Sequence, residues 1–156
     1  MKIINAKYDG FTHEIIIGNQ IFDQLKLYLS NKDFRSKICI ITDKNVAGLH
    51  LSLILKELTA SKIKTEVLVL NPGEKTKSWY NLKRIAEWLI LNKVERNDYV
   101  ISLGGGVIGD LSGFATSIVR RGTNIIHMPT TLLAQVDSSI GGKTGINSLK
   151  GKNLIG

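Results

Sequence analysis

The chain has a single cysteine, Cys39, so no internal disulfide can form, and its place in an apolar strand-like run makes it a small buried residue. No apolar stretch approaches the ~20 residues that a membrane-spanning helix needs. The N-terminus, Met1-Lys2-Ile3-Ile4-Asn5, lacks the long apolar region and small-residue cleavage site of a signal peptide, which predicts a cytoplasmic protein. Repeats, low-complexity segments and linkers are also missing. With 156 residues, one domain spanning 1–156 and carrying a real core is expected. The three histidines, His13, His50 and His127, lack metal-ligand spacing, and no cysteine or acid joins them, so each reads as a surface or packed residue. Aromatic residues are only 6% of the chain; Trp79 and Trp88 fall on one helical stretch, where Trp79 heads an apolar stripe and is expected in the core. No nucleophile–base pair is legible from spacing.

Acid is scarce towards the end. Residues 111–156 carry Arg120, Arg121, Lys143, Lys150 and Lys152 against Asp137 alone, a net +4 and half of the chain's +8. These cations lie scattered among glycines and Ser/Thr, neither stacked along a helix nor interleaved with aromatics. That arrangement argues for a small phosphorylated or carboxylated ligand and against nucleic acid.

What is present alternates. Ile3-Ile4 and His13–Ile17 read as short strands around an Asp9-Gly10 turn, followed by Ile21, Phe22, Leu25 and Leu29 at helical spacing. Lys37–Thr42 and Val67–Leu70 read as buried strands, with Ala47, Leu51, Ile54, Leu55 and Leu58 as a helical stripe between them. A turn at Asn71-Pro72-Gly73-Glu74 precedes a third stripe, Trp79, Leu82, Ile85, Ala86 and Leu89. Then come the strand Tyr99–Leu103, a fourth helix over Val107–Val119, and a strand Asn124–Met128 closed by Pro129. The alternation predicts an α/β fold of Rossmann-like type, a mostly parallel sheet with helices on both faces. Ligands on such sheets sit at the carboxyl ends of strands.

One of those ends stands out. Eleven of the 15 glycines lie from Gly104 onward, and Gly104-Gly105-Gly106-Val107-Ile108-Gly109 satisfies G-x-G-x-x-G between a strand and a helix. Backbone without Cβ atoms lets a ligand come close, and the N–H groups of the following helix suit a diphosphate. The acid that an ordinary dinucleotide fingerprint places about 20 residues on is replaced by Met128-Pro129-Thr130-Thr131. A near P-loop, Asp137-Ser138-Ser139-Ile140-Gly141-Gly142-Lys143-Thr144, has Asp137 where the first glycine belongs and no clear strand before it. An NTPase is therefore not the first choice.

The blocks Gly104–Leu111, Arg120-Arg121-Gly122, Pro129–Asn147 and Gly151–Gly156 closely resemble the 3-dehydroquinate synthase family, over the N-terminal half of that family's chain only. The resemblance implies cytoplasmic enzymes, usually homodimers, of the shikimate pathway to aromatic amino acids. They convert 3-deoxy-D-arabino-heptulosonate 7-phosphate to 3-dehydroquinate and phosphate. NAD acts catalytically in them, and zinc or cobalt polarises the alcohol being oxidised. Carried over by position, NAD would meet Asp43, Asn45, Glu74, Lys77, Gly105, Gly106, Val107, Ile108, Gly109, Asp110, Thr130 and Thr131. Lys143, Lys152, Asp137 and Asn153 match positions between cofactor and substrate, and Arg121 a substrate-phosphate contact that a dimer's neighbouring subunit can supply. The family's metal ligands, a glutamate and two histidines, and its helical C-terminal domain fall after residue 156. The expectation is an N-terminal NAD-binding half that binds the cofactor weakly and does not turn over alone. The continuous Thr130–Asn147 block favours this family over the iron-type polyol dehydrogenases, which share the fold; it does not separate other sugar phosphate cyclases, and a non-catalytic nucleotide-binding domain is the reading from a different class.

Overall fold

The structure is a computed structural model and describes residues 1–8, 11–19, 21, 25, 27–29 and 37–156. The chain divides into two compact units, 1–32 and 33–156. In the first, β1 (Lys2–Tyr8) and β2 (Phe11–Ile17) form an antiparallel pair in the register Lys2↔Ile17 to Tyr8↔Phe11. Both strands are longer than the sequence predicts. The Asp9-Gly10 turn and Phe22 lie outside the described residues; Leu25 and residues 27–29 are helical, as the spacing predicts.

The second unit is built on four parallel strands: β3 (Lys37–Asp43), β4 (Lys64–Leu70), β5 (Tyr99–Gly104) and β6 (Asn124–Pro129), in the order β4-β3-β5-β6. Central β3 is apolar on both faces and almost wholly buried, as a strand covered by helices on two sides must be. The run Val67–Leu70, expected as buried, belongs instead to an edge strand: β4 is buried only at Leu68 and Leu70, and its amino half is partly exposed.

Between the strands run α1 (Lys44–Val46), a π-helical turn (Ala47–Leu51), α2 (Ser52–Ala60), α3 (Trp79–Leu91) and α4 (Gly106–Ile118). The crossover from β3 to β4 moves one way along the sheet, and those into β5 and β6 move the other. Right-handed crossovers therefore place α1 and α2 on one face and α3 and α4 on the opposite one. The core agrees: Cys39, Ile41 and Val100 from one sheet face cluster with Leu82, Ile85 and Leu89 of α3 and with Ile108, Leu111 and Ala115 of α4. Burial pushes the Cys39 thiol up to about 11, so it stays protonated and inert.

Trp79 departs from its expected place. It is the first residue of α3 and is 59% exposed, so the buried stripe begins at Leu82. A short helix, α5 (Leu132–Val136), follows β6, and an antiparallel pair, β7 (Ile146–Ser148) and β8 (Gly151–Ile155), ends the chain. That pair was not read from the sequence. Among the described residues no helix is long and apolar enough to cross a membrane.

Candidate functional site

The direction of travel along the sheet reverses between β3 and β5, which pair in parallel with Thr42 opposite Leu103. At such a reversal the connections leave the two strand ends in opposite directions and open a crevice between them. Asp43 ends β3 and Gly104 ends β5, so both stand at that crevice.

The start of α4 is open. Gly105 is its N-cap and offers no side chain, and the first intrahelical bond runs from the Gly109 N–H to the Gly105 carbonyl at 3.0 Å. The N–H groups of Gly106, Val107 and Ile108 are left without partners among the described residues. Other helices do cap themselves. Asp43 Oδ1 accepts from the N–H groups of Asn45 and Val46 at 2.9 and 3.0 Å. Ser78 accepts from Asn81, and Thr131 Oγ1 from Ala134 at 3.2 Å. Side-chain caps satisfy orphan donors; α4 has none, and its open donors stand at the positive end of the helix dipole.

Close packing fixes the glycines around this mouth for different reasons. A Cβ on Gly104 would lie 2.6 Å from Ile108 Cβ, so Gly104 lets the helix fold back onto its strand. A Cβ on Gly105 would press on Thr131 Cγ2 at 3.2 Å, while Gly106 has room, with Ser138 Oγ at 3.6 Å. The Thr130 N–H donates to the Gly104 carbonyl at 3.0 Å, which keeps the 130–139 segment beside the turn. A narrow seam there is lined among others by Ser102, Gly105, Gly109, His127 and Ser138. Its walls stand too close to hold a water molecule, so it is a packing seam rather than a cavity. Burial holds the His127 imidazole below its usual pKa, with the Asp110 carboxylate pulling the other way.

A second cluster lies one turn into α4. Lys77, buried in the β4–α3 connection, donates its ammonium both to Asp110 Oδ2 and to Asn153 Oδ1. Asn147 Nδ2 donates to Glu74 Oε1 at 2.8 Å, and Asn147 Oδ1 accepts from the Asn153 N–H at 2.9 Å. Glu74, Lys77, Asp110 and Asn153 thus converge, and Asn147, which sequence reasoning passed over, joins them. Its part depends on the unpredicted β7–β8 pairing, so no local pattern could have pointed to it.

Arg121, Asp137, Lys143 and Lys152 are not drawn in. All four are exposed, and their side chains have no hydrogen bond or ion pair among the described residues. Arg121 and its neighbour Arg120 both have left-handed backbone, φ 61° and 56°. Arg120 is tied to the Val94 carbonyl and to Glu95, whereas Arg121 points into solvent. The near P-loop fails structurally: α5 precedes it and strand β7 follows, where a P-loop needs a strand before and a helix after. Among the described residues no three His, Cys, Asp or Glu side chains are grouped to hold a metal ion.

The sequence profile of the 3-dehydroquinate synthase N-terminal family matches residues 67–156. The 3-dehydroquinate synthase of Bartonella tribocorum is 49% identical over 160 residues, covering 99% of this chain and 42% of its own length. That of Cereibacter sphaeroides is 56% identical over 153 residues, covering 98% and 41%. The chain therefore spans well under half the length of these relatives. A 2-deoxy-scyllo-inosose synthase solved with carbaglucose-6-phosphate, NAD+ and Co2+ shares the fold, at a TM-score of 0.90 and 24% identity over 99% of this chain and 42% of its own. The 2-epi-5-epi-valiolone synthase of Streptomyces hygroscopicus, solved with NAD+ and Zn2+, gives 0.84 and 25% identity over 97% and 41%.

Proposed function

This chain belongs to the 3-dehydroquinate synthase family, and from that membership we propose that residues 1–156 are its NAD-binding N-terminal domain. The observation that carries the proposal is the uncapped start of α4 at the point where the sheet reverses. The N–H groups of Gly106, Val107 and Ile108 would take the diphosphate, and the absence of a Cβ on Gly106 keeps the approach clear. Asp43 has one oxygen engaged in capping α1, which fixes the carboxylate so that it can accept from ribose hydroxyls. Asn45 stands beside it; Thr130, Thr131 and Gly109 flank the diphosphate, and Glu74, Lys77 and Asp110 form the further wall.

When bound, the dinucleotide supplies reversible hydride transfer. This chain's part is to orient the cofactor and to place cations beside the substrate. Exposed Lys143, Lys152 and Arg121 carry unpaired charge suited to a phosphate and a carboxylate. Asp137 and Asn153 are the neighbouring polar groups. The substrate that fits is a phosphorylated sugar acid, 3-deoxy-D-arabino-heptulosonate 7-phosphate for the whole protein, in a cytoplasmic homodimer. The zinc or cobalt of that reaction has no ligand cluster among the residues described. Turnover is proposed to need the part of the relatives' length that this chain does not match.

Calorimetric titration of NAD and of ATP into the 156-residue chain tests the reading. NAD is expected to bind and ATP not; Asp43→Ala and Gly106→Val are each expected to abolish NAD binding. ATP preference, or no NAD binding at all, would overturn it.

A further inference from the structure

Among the described residues of the second cluster, Asn147 alone has a side chain that both donates and accepts a hydrogen bond, to two separate elements. Its Nδ2 donates to Glu74 Oε1 at 2.8 Å and to the Glu74 carbonyl at 3.4 Å, in the connection after β4. Its Oδ1 accepts from the Asn153 N–H at 2.9 Å, in β8, and its own N–H donates to the Lys77 carbonyl at 3.0 Å. A carboxamide is among the few groups that can do both at once; a carboxylate lacks the donor and an alkyl chain lacks both.

It ties together groups from different elements. Glu74 has no other side-chain partner among the described residues. Asn153 has left-handed backbone, φ 56°, a conformation that asparagine adopts more readily than most residues and that turns its N–H towards Asn147. Secured there, its Oδ1 meets the buried Lys77 ammonium, whose other partner is Asp110 on α4. The chain of contacts runs from Glu74 through Asn147 and Asn153 to Lys77 and Asp110, and so joins the β4–α3 connection, the β7–β8 pair and the helix whose start faces the crevice.

We propose that Asn147 is a positioning residue for the dinucleotide site, acting through the Glu74 carboxylate and the Asn153 carboxamide; the inference rests on the NAD reading above. NAD titrations into the unaltered chain, Asn147→Ala, Glu74→Ala and the double variant test it. Each single change is expected to weaken NAD roughly tenfold, and the double variant no more than the weaker single, because both remove one shared arrangement. Asn147→Asp keeps the acceptor for the Asn153 N–H but sets a second carboxylate against Glu74. Its NAD affinity is expected to be low at neutral pH and to recover as acid supplies one proton for the pair to share, which restores the missing donor. The folded fraction of Asn147→Asp, read by circular dichroism over the same pH range, separates positioning from folding: it is expected to stay complete while NAD affinity recovers, and a folded fraction that rises in step with affinity would overturn the inference. Lys77 and Asp110, the other charges facing the cluster, are the same in both proteins. Unchanged NAD affinity in Asn147→Ala, strictly additive losses, or no acid recovery in Asn147→Asp would overturn the inference while NAD binding by the unaltered chain keeps the reading. If the unaltered chain binds no NAD, reading and inference fall together.

Discussion

Gly104 and Gly106 sit two residues apart and answer to different constraints. At Gly104 the limit is Ile108, 2.6 Å from where a Cβ would be, so Gly104→Ala is expected to destabilise the fold by about 1–3 kcal/mol, read as a lowered urea midpoint. At Gly106 there is room for a methyl, so Gly106→Ala should leave the urea midpoint unchanged, apart from any gain in helix propensity, while crowding the ligand's approach. His127 adds a pH dependence with a definite sign. Its folded pKa lies below the ordinary 6.5, so the unfolded chain takes up the proton first. Its contribution to stability is complete above about 6.5 and is lost as the pH falls from there towards the depressed value. His127→Gln is expected to flatten that part of the stability–pH curve in denaturant titrations. The glycine turn and Asp43 were legible as residues because strand and helix periods bracket them. Trp79 was not: a large apolar side chain at the head of a stripe fits the period whether or not the core reaches that far. Asn147 was invisible for another reason, since its partners stand 73 and 6 residues away and one distance says nothing of the other.

Helices α2 and α3 end alike. After α2, Lys62 is left-handed at φ 58°, its N–H bonds to the Thr59 carbonyl, and the Ile63 N–H reaches back to Leu58. After α3, Lys93 at φ 56° bonds to Ile90, and Val94 reaches back to Leu89. Both are Schellman closures with lysine where glycine is usual. Lys62→Gly and Lys93→Gly are each expected to stabilise by about 0.5–1 kcal/mol, measured by thermal unfolding, because they relieve left-handed backbone at the cost of one favourable terminal charge. These ends were not marked in the sequence, since lysine carries no turn signal. The β7–β8 pair escaped for a similar reason. Its strands are three and five residues long with an irregular register, too short for alternation to show, and its glycines resembled a ligand loop. The parallel strands were easier. Runs such as Ile38-Cys39-Ile40-Ile41 are apolar on consecutive positions, a pattern that only burial on both faces tolerates.

For the molecule as a whole, the reading couples stability to ligand. A chain that seats NAD only when folded should melt higher in its presence, by about 2.7 kcal/mol of added stability at a hundredfold excess over Kd. A melting temperature indifferent to NAD but raised by ATP would point to a different nucleotide. The sheet order also has a consequence for synthesis on the ribosome. Central β3 is made before either strand that will flank it, and its second neighbour, β5, begins 62 positions after β3 does. Until Tyr99–Gly104 clears the exit tunnel, one rim of Ile38–Ile41 stays unzipped, a sticky nascent edge that chaperones would meet first and that a translational pause before residue 99 would prolong.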